Sequence, residues 1–275
     1  MIDFSNTSRR GALTALLSTS AAALLPIPAA HAAQRVRVGI RGGIGEELWA
    51  EVAKAAKAKG LDVQLVVLGG SVSPNEALNN GDLEANAFQH LPFLQDQVRQ
   101  RGYQIVSAGN TLIAPIAFYS NKHKRLQDLP NKARVGIPND PSNQTRALVI
   151  LRDQGLIKLR DGFDPFSGTV GLADITANPR QLQLVEAASN VLARSIPDLD
   201  AAAVINTFAY QVGLIATRDG IAVEKREHNP YVNIIAVRSK DQEAPWVKAL
   251  VASFQTDAIR RFIETKYEGT LIPAF

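Results

Sequence analysis

Short apolar runs alternate with longer amphipathic segments along most of this 275-residue chain, and this alternation limits the possible folds more than any other feature. Residues 36–40 form an apolar run that ends near paired glycines, and residues 46–59 then carry apolar side chains at helical spacing. Residues 63–68 form the next apolar run. Residues 73–76 follow with a capping serine, a first-turn proline and an N3 glutamate, which indicate a helix start. Such repeats predict an α/β fold with a mostly parallel sheet.

A second set of strand and helix patterns follows an extended apolar segment at residues 113–119. Its predicted strands are residues 134–137, 182–186 and 201–205. The β-branched run 232–237 is predicted to return the chain to its first part. We therefore predict two α/β lobes joined by two extended crossings. Lobe I comprises residues 34–115 and 231–275, and lobe II comprises residues 116–230.

The first 33 residues are predicted to be a secretory signal peptide and not part of the fold. Arg9 and Arg10 precede a charge-free stretch rich in alanine and leucine, and cleavage is expected after Ala32 or Ala33. The apolar stretch is shorter than the ~20 residues that cross a bilayer. The chain contains no cysteine, which excludes disulfides, thiolate metal sites and a thioether-linked lipid. We therefore expect an exported, periplasmic protein that is not a lipoprotein.

Composition and motifs argue against several function classes. Basic residues outnumber acidic ones by 30 to 26 and are scattered, so nucleic-acid binding is not expected. The glycines at residues 39–45 lack dinucleotide-binding spacing and are interpreted as a tight strand-to-helix turn. Residues 69–73 lack the last glycine of a nucleophile elbow. The histidines at 90, 123 and 228 are not at metal-binding spacing. We predict no catalytic residues, no metal and no cofactor.

Several polar side chains follow predicted strands, where open α/β sheets hold their ligands. They are found in residues 86–90 and at Asn143, Arg146 and Asn206. Arg146 can hold a carboxylate through two parallel N–H donors, beside a helix N-terminus that also favours anions. Simpler roles stay open: Asp140, Ser142 or Asn143 as a helix cap, Phe88 as a core residue and Arg146 as a surface residue.

Six short runs of sequence are distinctive in combination. They are residues 74–78 (PNEAL), 82–90 (DLEANAFQH), 109–111 (GNT), 138–141 (PNDP), 155–159 (GLIKL) and 230–233 (PYVN). In this order they resemble the NlpA/MetQ family, whose members are the substrate-binding proteins of methionine ABC importers. The resemblance implies a two-lobe periplasmic-binding-protein architecture of type II, with the ligand in the cleft between the lobes. It also implies two partners, a small amino acid and an inner-membrane ABC permease, and we expect a monomer.

The resemblance also implies the ligand contacts. The candidates are Phe88, His90, Asn143, Arg146, Asn206 and Ser71. Arg146 would carry the carboxylate of methionine, with the two asparagines as polar clamps and the two aromatic rings around the side chain. Ser71 stands where family members place an aromatic residue, which implies a wider pocket or a different ligand. The chain is one residue shorter than its relatives around residues 206–211, so which side chain there faces the cleft stays open.

Two other function classes stay open at this point. An enzyme could use the same scaffold, because a fold does not fix an activity, and Asp140 with His90 is then the acid–base pair that we can propose. The chain could also be a structural or interaction protein that has lost its ligand, and Ser71 favours that interpretation. Our main hypothesis is a non-enzymatic protein that binds an amino acid, methionine first, and delivers it to a permease.

Overall fold

Two β-sheets with helices on both faces form the main body of the protein in this computed structural model, which describes residues 33–69, 72–166 and 168–275. We call them the first sheet and the second sheet. Nearly all of the predicted signal peptide lies outside the described residues, and so does Ser71.

The first sheet has the strand order β13-β4-β12-β3-β1-β2. Its strands are β1 (Gln34–Ile40), β2 (Leu61–Val67), β3 (Ala85–Asn86), β4 (Ile105–Ile113), β12 (Val232–Arg238) and β13 (Ile272–Pro273). β1 pairs in parallel with both β2 and β3. β12 is antiparallel to both of its neighbours, β3 and β4.

The second sheet has the strand order β11-β5-β10-β6-β9. Its strands are β5 (Ala117–Tyr119), β6 (Arg134–Pro138), β9 (Gln183–Ala187), β10 (Ala201–Val204) and β11 (Ala222–Val223). β6 is parallel to β9 and β10, whereas β5 is antiparallel to β10 and β11. A separate two-stranded ribbon pairs β7 (Lys158–Leu159) with β8 (Ile175–Ala177).

The predicted α/β class is confirmed, but the prediction of a mostly parallel sheet is wrong. The chain leaves the first sheet along β4 and enters the second sheet along β5. It leaves the second sheet after β11 and returns along β12, which pairs with β4. A departing strand and a returning strand run in opposite directions when they lie side by side. The antiparallel pairs are therefore a consequence of the two connections between the sheets.

The helices alternate with the strands along the chain. They are α1 (Ile44–Lys57), α2 (Pro74–Asn80), α3 (Leu91–Arg101), α4 (Pro141–Asp153), α5 (Ser189–Ser195), α6 (Asn206–Gln211), α7 (Ala216–Asp219), α8 (Pro245–Phe254) and α9 (Asp257–Tyr267). The sequence did not predict α6 and α7, because helices this short show too few turns of apolar periodicity. None of the described helices combines the length and hydropathy that a membrane span needs.

Local capping fixes where three of these helices begin. Ser73 Oγ accepts a hydrogen bond from the backbone N–H of Glu76 at 3.3 Å, as the sequence predicted for α2. Asp140 Oδ1 accepts one from the N–H of Asn143 at 2.9 Å and so begins α4. Gly43 begins α1 with a φ of 81°, a conformation that glycine adopts without the strain a side chain would cause. These starts hold the preceding loops at the sheet edges.

Each sheet separates two apolar layers, because successive side chains of a strand point to opposite faces. In β10, Ala201 and Ala203 lie in the layer that includes side chains of α4. Ala202 and Val204 lie in the layer that includes side chains of α5, α6 and α7. In the first sheet, Trp49 of α1 packs 5.6 Å from Phe254 of α8, measured between ring centroids. The two sheets thus have separate cores, which leaves their connecting loops free to form a site.

Candidate ligand-binding site

A cavity of about 220 Å³ is lined by loops and helix starts from both sheets. Its lining residues include Arg41, Phe88, His90, Ala114, Asn143, Arg146, Thr207, Phe208 and Asn233. Drug-sized ligands occupy pockets of roughly 300–1,000 Å³, so this cavity suits a smaller molecule. Four of the predicted site residues, Phe88, His90, Asn143 and Arg146, therefore come together at one place.

Arg146 is buried, with only 2% of its surface exposed, and it is held by an ion pair with Glu224. Its Nε donates to Glu224 Oε1 at 2.8 Å, and its Nη2 donates to Glu224 Oε2 at 2.6 Å. Nη2 also donates to the carbonyl of Ala114 at 2.9 Å, and Nη1 donates to Asn143 Oδ1 at 3.1 Å. Burial alone would lower the pKa of Arg146, but Glu224 outweighs this effect and the pKa is raised.

These contacts change the expected role of Arg146. A guanidinium has five N–H donors, and four of those of Arg146 are taken by the three protein groups. The open two-pronged face that the sequence suggested is therefore occupied by Glu224. The remaining N–H is on Nη1, which also donates to Asn143. Contact between this N–H and a ligand stays a prediction. Sequence offered no signal for Glu224, because it lies 78 residues away along the chain.

His90 is a neutral hydrogen-bond donor at the cavity wall. Its Nδ1 accepts the N–H of Phe93 at 3.1 Å and so begins α3, which places the proton of the neutral ring on Nε2. Nε2 lies 3.1 Å from Asn143 Oδ1 and donates to it. Burial, followed by the positive charge of Arg146, lowers the pKa of His90 from 6.5 to about 3. The ring is therefore uncharged throughout the physiological pH range.

Asn143 joins the charged and aromatic parts of the site. Its Oδ1 accepts from both His90 and Arg146, and its Nδ2 donates to Asp140 Oδ1 at 2.9 Å. The sequence analysis left open whether a residue here caps the helix, and the structure assigns that role to Asp140. Asp140 also lines the cavity, so the site contains a carboxylate as well as the guanidinium of Arg146. This arrangement offers both signs of charge to a zwitterion.

Aromatic rings form the apolar part of the wall. Phe88 lies 6.1 Å from Phe93 in an edge-to-face arrangement, measured between ring centroids. His90 lies 6.2 Å from Phe93 and 5.1 Å from Tyr231. Such edges make favourable contacts with aliphatic or sulfur-bearing side chains. Phe88 and His90 both line the cavity, and their contact with a ligand stays a prediction.

A buried amide network holds the segment that carries Phe88 and His90. Asn75 Nδ2 donates to Gln89 Oε1 at 2.8 Å, and Gln89 Nε2 donates to Asn86 Oδ1 at 3.0 Å. Asn86 Nδ2 donates to Asn75 Oδ1 at 2.9 Å. Each of these side chains is almost completely buried, and unpaired amides would be costly there. This network explains why residues 75–89 include several buried polar side chains: they hold the rings of Phe88 and His90 in position.

Asn206 is less directly placed than the sequence suggested. It begins α6 and its Nδ2 donates to the carbonyl of Thr270 at 2.9 Å. Its Oδ1 is buried without a hydrogen-bond partner among the described residues. Thr207 and Phe208 line the cavity, and Tyr210 packs against Gly43 instead. Thr207 and Phe208 are therefore the side chains of this segment that face the site.

Arg41 and Asn233 are among the lining residues that the sequence did not indicate. Arg41 directly follows β1, the position that identified other candidates, but it was set aside with the glycine turn. Its Nη1 donates to the carbonyl of Leu68 at 2.9 Å, and its guanidinium carbon lies 5.4 Å from the ring centroid of Phe88. Asn233 lies in β12 and pairs with His90 through an isolated β-bridge.

Within residues 33–69, 72–166 and 168–275, there is no group of three or more histidine, aspartate or glutamate side chains that could hold a metal ion. The charges at the cavity are instead distributed among Arg41, Asp140 and the Arg146–Glu224 pair.

Comparison with known proteins identifies close relatives over most of the chain. The D-methionine-binding lipoprotein MetQ of Escherichia coli K12 is 45% identical over 242 residues, which cover 85% of this chain and 86% of that protein. A probable D-methionine-binding lipoprotein MetQ of Pasteurella multocida is 40% identical over 246 residues, covering 89% and 88%. The solved structure of a nutrient-binding protein from Burkholderia cenocepacia bound to methionine is 44% identical, with a TM-score of 0.83. The match covers 87% of this chain and all of that one.

These relatives correct one prediction and confirm another. The zero cysteine count led us to expect a periplasmic protein that is not a lipoprotein. That prediction is contradicted, because the relatives from E. coli and P. multocida are both named lipoproteins. The predicted architecture is confirmed, since the solved neighbours share the two-lobe periplasmic-binding fold.

One further match shows the family to which the chain belongs, because it covers nearly the whole fold. The family model described as NlpA lipoprotein matches residues 36–275, which is nearly all of the part that the structure describes. The resemblance first indicated by six short runs thus extends over the fold and over every element that lines the cavity. The chain belongs to the NlpA lipoprotein family.

Proposed function

We propose that this protein is the substrate-binding component of an ABC importer and that it binds an amino acid, methionine first among them, in the cavity. The observation that carries the proposal is a cavity of about 220 Å³ that combines an aromatic wall with a fixed polar cluster. The methionine-bound relative from B. cenocepacia and the MetQ relatives support the choice of amino acid.

The polar cluster suits the head group of an amino acid. The remaining N–H of Arg146 offers a donor to the ligand carboxylate, while Glu224 holds the guanidinium in place. Asp140 offers a carboxylate to the ligand ammonium. A buried charge costs several kcal/mol unless it is paired, so a zwitterion that pairs both ends gains the most from this site. Phe88 and His90 would then contact the side chain.

We further propose that the two sheets belong to two lobes that close around the ligand. Lobe I would comprise residues 34–115 and 231–275, and lobe II would comprise residues 116–230. Two connections join the sheets, one between β4 and β5 and one between β11 and β12. A hinge needs few residues to change their backbone angles, and these connections provide such positions. The closed form would be presented to a membrane permease, and the protein would act as a monomer without binding nucleic acid.

A titration tests this proposal directly. The protein is unfolded in denaturant, dialysed to remove any bound ligand, refolded and titrated calorimetrically with methionine and each other natural amino acid. We expect methionine to bind with a Kd in the micromolar range or below, which is about −8 kcal/mol or stronger. Binding of every amino acid weaker than about 1 mM, or about −4 kcal/mol, would contradict it.

The two alternative functions have less support. An enzyme on this scaffold would use Asp140 with His90, but Asn143 lies between these two groups and both ring nitrogens of His90 are already hydrogen-bonded. The relatives named above are binding proteins. Quantitative recovery of unaltered methionine after incubation would agree with a purely binding role. A protein that has lost its ligand would instead show no thermal stabilisation by any amino acid.

A further inference from the structure

We infer that Arg41 sets the ligand specificity of the cavity by binding an oxygen acceptor at the far end of the ligand side chain. In addition to methionine, the cavity would then bind, and prefer, an amino acid of methionine size whose side chain ends in an oxygen-bearing group, such as an oxidised sulfur. The inference rests on the proposed function, because it assumes that an amino acid occupies the cavity.

Arg41 brings more unused donors to the cavity than Arg146 does. Of its five N–H groups, one is hydrogen-bonded to a residue that the structure describes, through the carbonyl of Leu68 at 2.9 Å. No carboxylate of the described residues lies within ion-pairing distance of its guanidinium. Arg146, by comparison, gives four N–H groups to protein partners, two of them to Glu224. Among the described residues, Arg41 therefore has fewer hydrogen-bond partners than Arg146 and more N–H groups to offer a ligand.

The position of Arg41 is fixed by the fold. β1 ends at Ile40, and α1 begins after Gly43, whose N–H donates to Glu46 Oε2 at 3.0 Å. The short segment between them holds Arg41 against the ring of Phe88, with its guanidinium carbon 5.4 Å from the ring centroid. Partial burial lowers the pKa of Arg41.

Arg41 and the polar cluster serve different ends of a ligand. Arg146, Asn143 and Asp140 all belong to the start of α4 and are hydrogen-bonded to one another. Arg41 shares no hydrogen-bond partner with them and contacts the aromatic wall. If the amino-acid head group occupies the α4 cluster, the side chain extends along that wall toward Arg41. A thioether there would leave four donors without an acceptor, which is unfavourable in a partly dehydrated site.

The test compares three ligands that share the methionine backbone. Refolded protein is titrated with methionine, with methionine sulfone as a neutral oxygen acceptor, and with homocysteic acid as an anionic one. We expect the wild type to bind at least one of the two oxidised ligands at least about tenfold more tightly than methionine. The better of the two identifies the acceptor as neutral or anionic. Arg41→Leu should reduce the preference to within about threefold.

Arg35→Leu is the matched control, because Arg35 also lies on the β1 segment but its side chain is 70% exposed and 3.9 Å from Asp62. The control should keep the wild-type preference, and thermal unfolding should show that both variants are folded. The inference is overturned if methionine binds the wild type at least as tightly as both oxidised ligands, or if the preference survives in Arg41→Leu. In those cases the proposed function still stands. If none of the three ligands binds and no other natural amino acid does, the proposed function fails as well.

Discussion

Arg41 and Arg146 line the same cavity but are built into the protein in opposite ways. Arg146 is buried and spends four N–H groups on Glu224, Ala114 and Asn143. Arg41 is partly exposed and donates one hydrogen bond to a described residue, at the carbonyl of Leu68. The difference teaches that a charged side chain in a pocket is not automatically a ligand group. Arg146 has four hydrogen bonds to protein groups that hold it in place, whereas Arg41 has one among the described residues, and we propose that Arg41 binds the ligand.

The largest expected effect is on the free energy of unfolding, and it comes from breaking the ion pair between Arg146 and Glu224. Glu224→Gln leaves Arg146 buried with an uncompensated charge, which should lower the free energy of unfolding by about 3–5 kcal/mol. Glu84→Gln is the control, because the Arg37–Glu84 pair is 40% and 25% exposed and should cost about 1 kcal/mol or less. Urea denaturation measures both. Equal losses in the two variants would show that Arg146 does not depend on Glu224.

The next effect concerns His90, whose folded-state pKa of about 3 lies below the ordinary 6.5. A depressed histidine pKa means that the unfolded chain takes up the proton first. The stability that neutral His90 contributes is therefore fully present above about pH 6.5 and is lost as the pH falls toward 3. Between pH 7 and pH 4 this one group should cost about 3 kcal/mol.

His90→Gln supplies the comparison for that loss, since glutamine offers one acceptor and one donor but does not titrate. Urea denaturation of both proteins at pH 7 and pH 4 should show a loss about 3 kcal/mol larger in the wild type. A loss of the same size in both proteins would mean that His90 is already charged, or is exposed, in the folded state.

A smaller effect tests the aromatic wall that both arginines adjoin. Phe88→Ala should weaken methionine binding by about 2 kcal/mol, which is roughly thirtyfold in Kd, because the ring contributes an apolar face of the cavity. Phe166→Ala is the matched control, since Phe166 is 60% exposed and does not line the cavity. Calorimetric titration distinguishes them. An unchanged Kd in Phe88→Ala would place the ligand elsewhere.

The smallest expected effect is on stability at Arg41. Because Arg41 makes one hydrogen bond to protein and no ion pair with a described residue, Arg41→Leu should change the free energy of unfolding by no more than about 0.5 kcal/mol. Urea denaturation at pH 7 measures the change. A loss near that of Glu224→Gln would mean that Arg41 is also structural, and the contrast between the two arginines would disappear.

The sequence predicted the fold well because its signals are local. The apolar runs of β1 and β6 and the capping serine of α2 are all recognisable from short stretches of sequence. The antiparallel strands were missed, because strand direction depends on how the chain passes between the two sheets. The short helices α6 and α7 were missed because a few residues carry little periodicity.

The site was only partly predictable, for a related reason. Phe88, His90, Asn143 and Arg146 follow strand ends and could be selected by that rule. Glu224 could not, because its role depends on a pairing across 78 residues of chain. Arg41 also directly follows a strand. The glycines on either side of it indicate a tight turn, however, and the local sequence does not show that its side chain lines the cavity.

The most direct test of the central claim is a crystal structure of the refolded protein grown with saturating methionine. We predict ligand density in the cavity, with the amino-acid head group within hydrogen-bond distance of Arg146, Asn143 or Asp140 and its side chain against Phe88. The account would be contradicted by an empty cavity at saturating ligand, or by methionine bound at a place that none of these residues reaches.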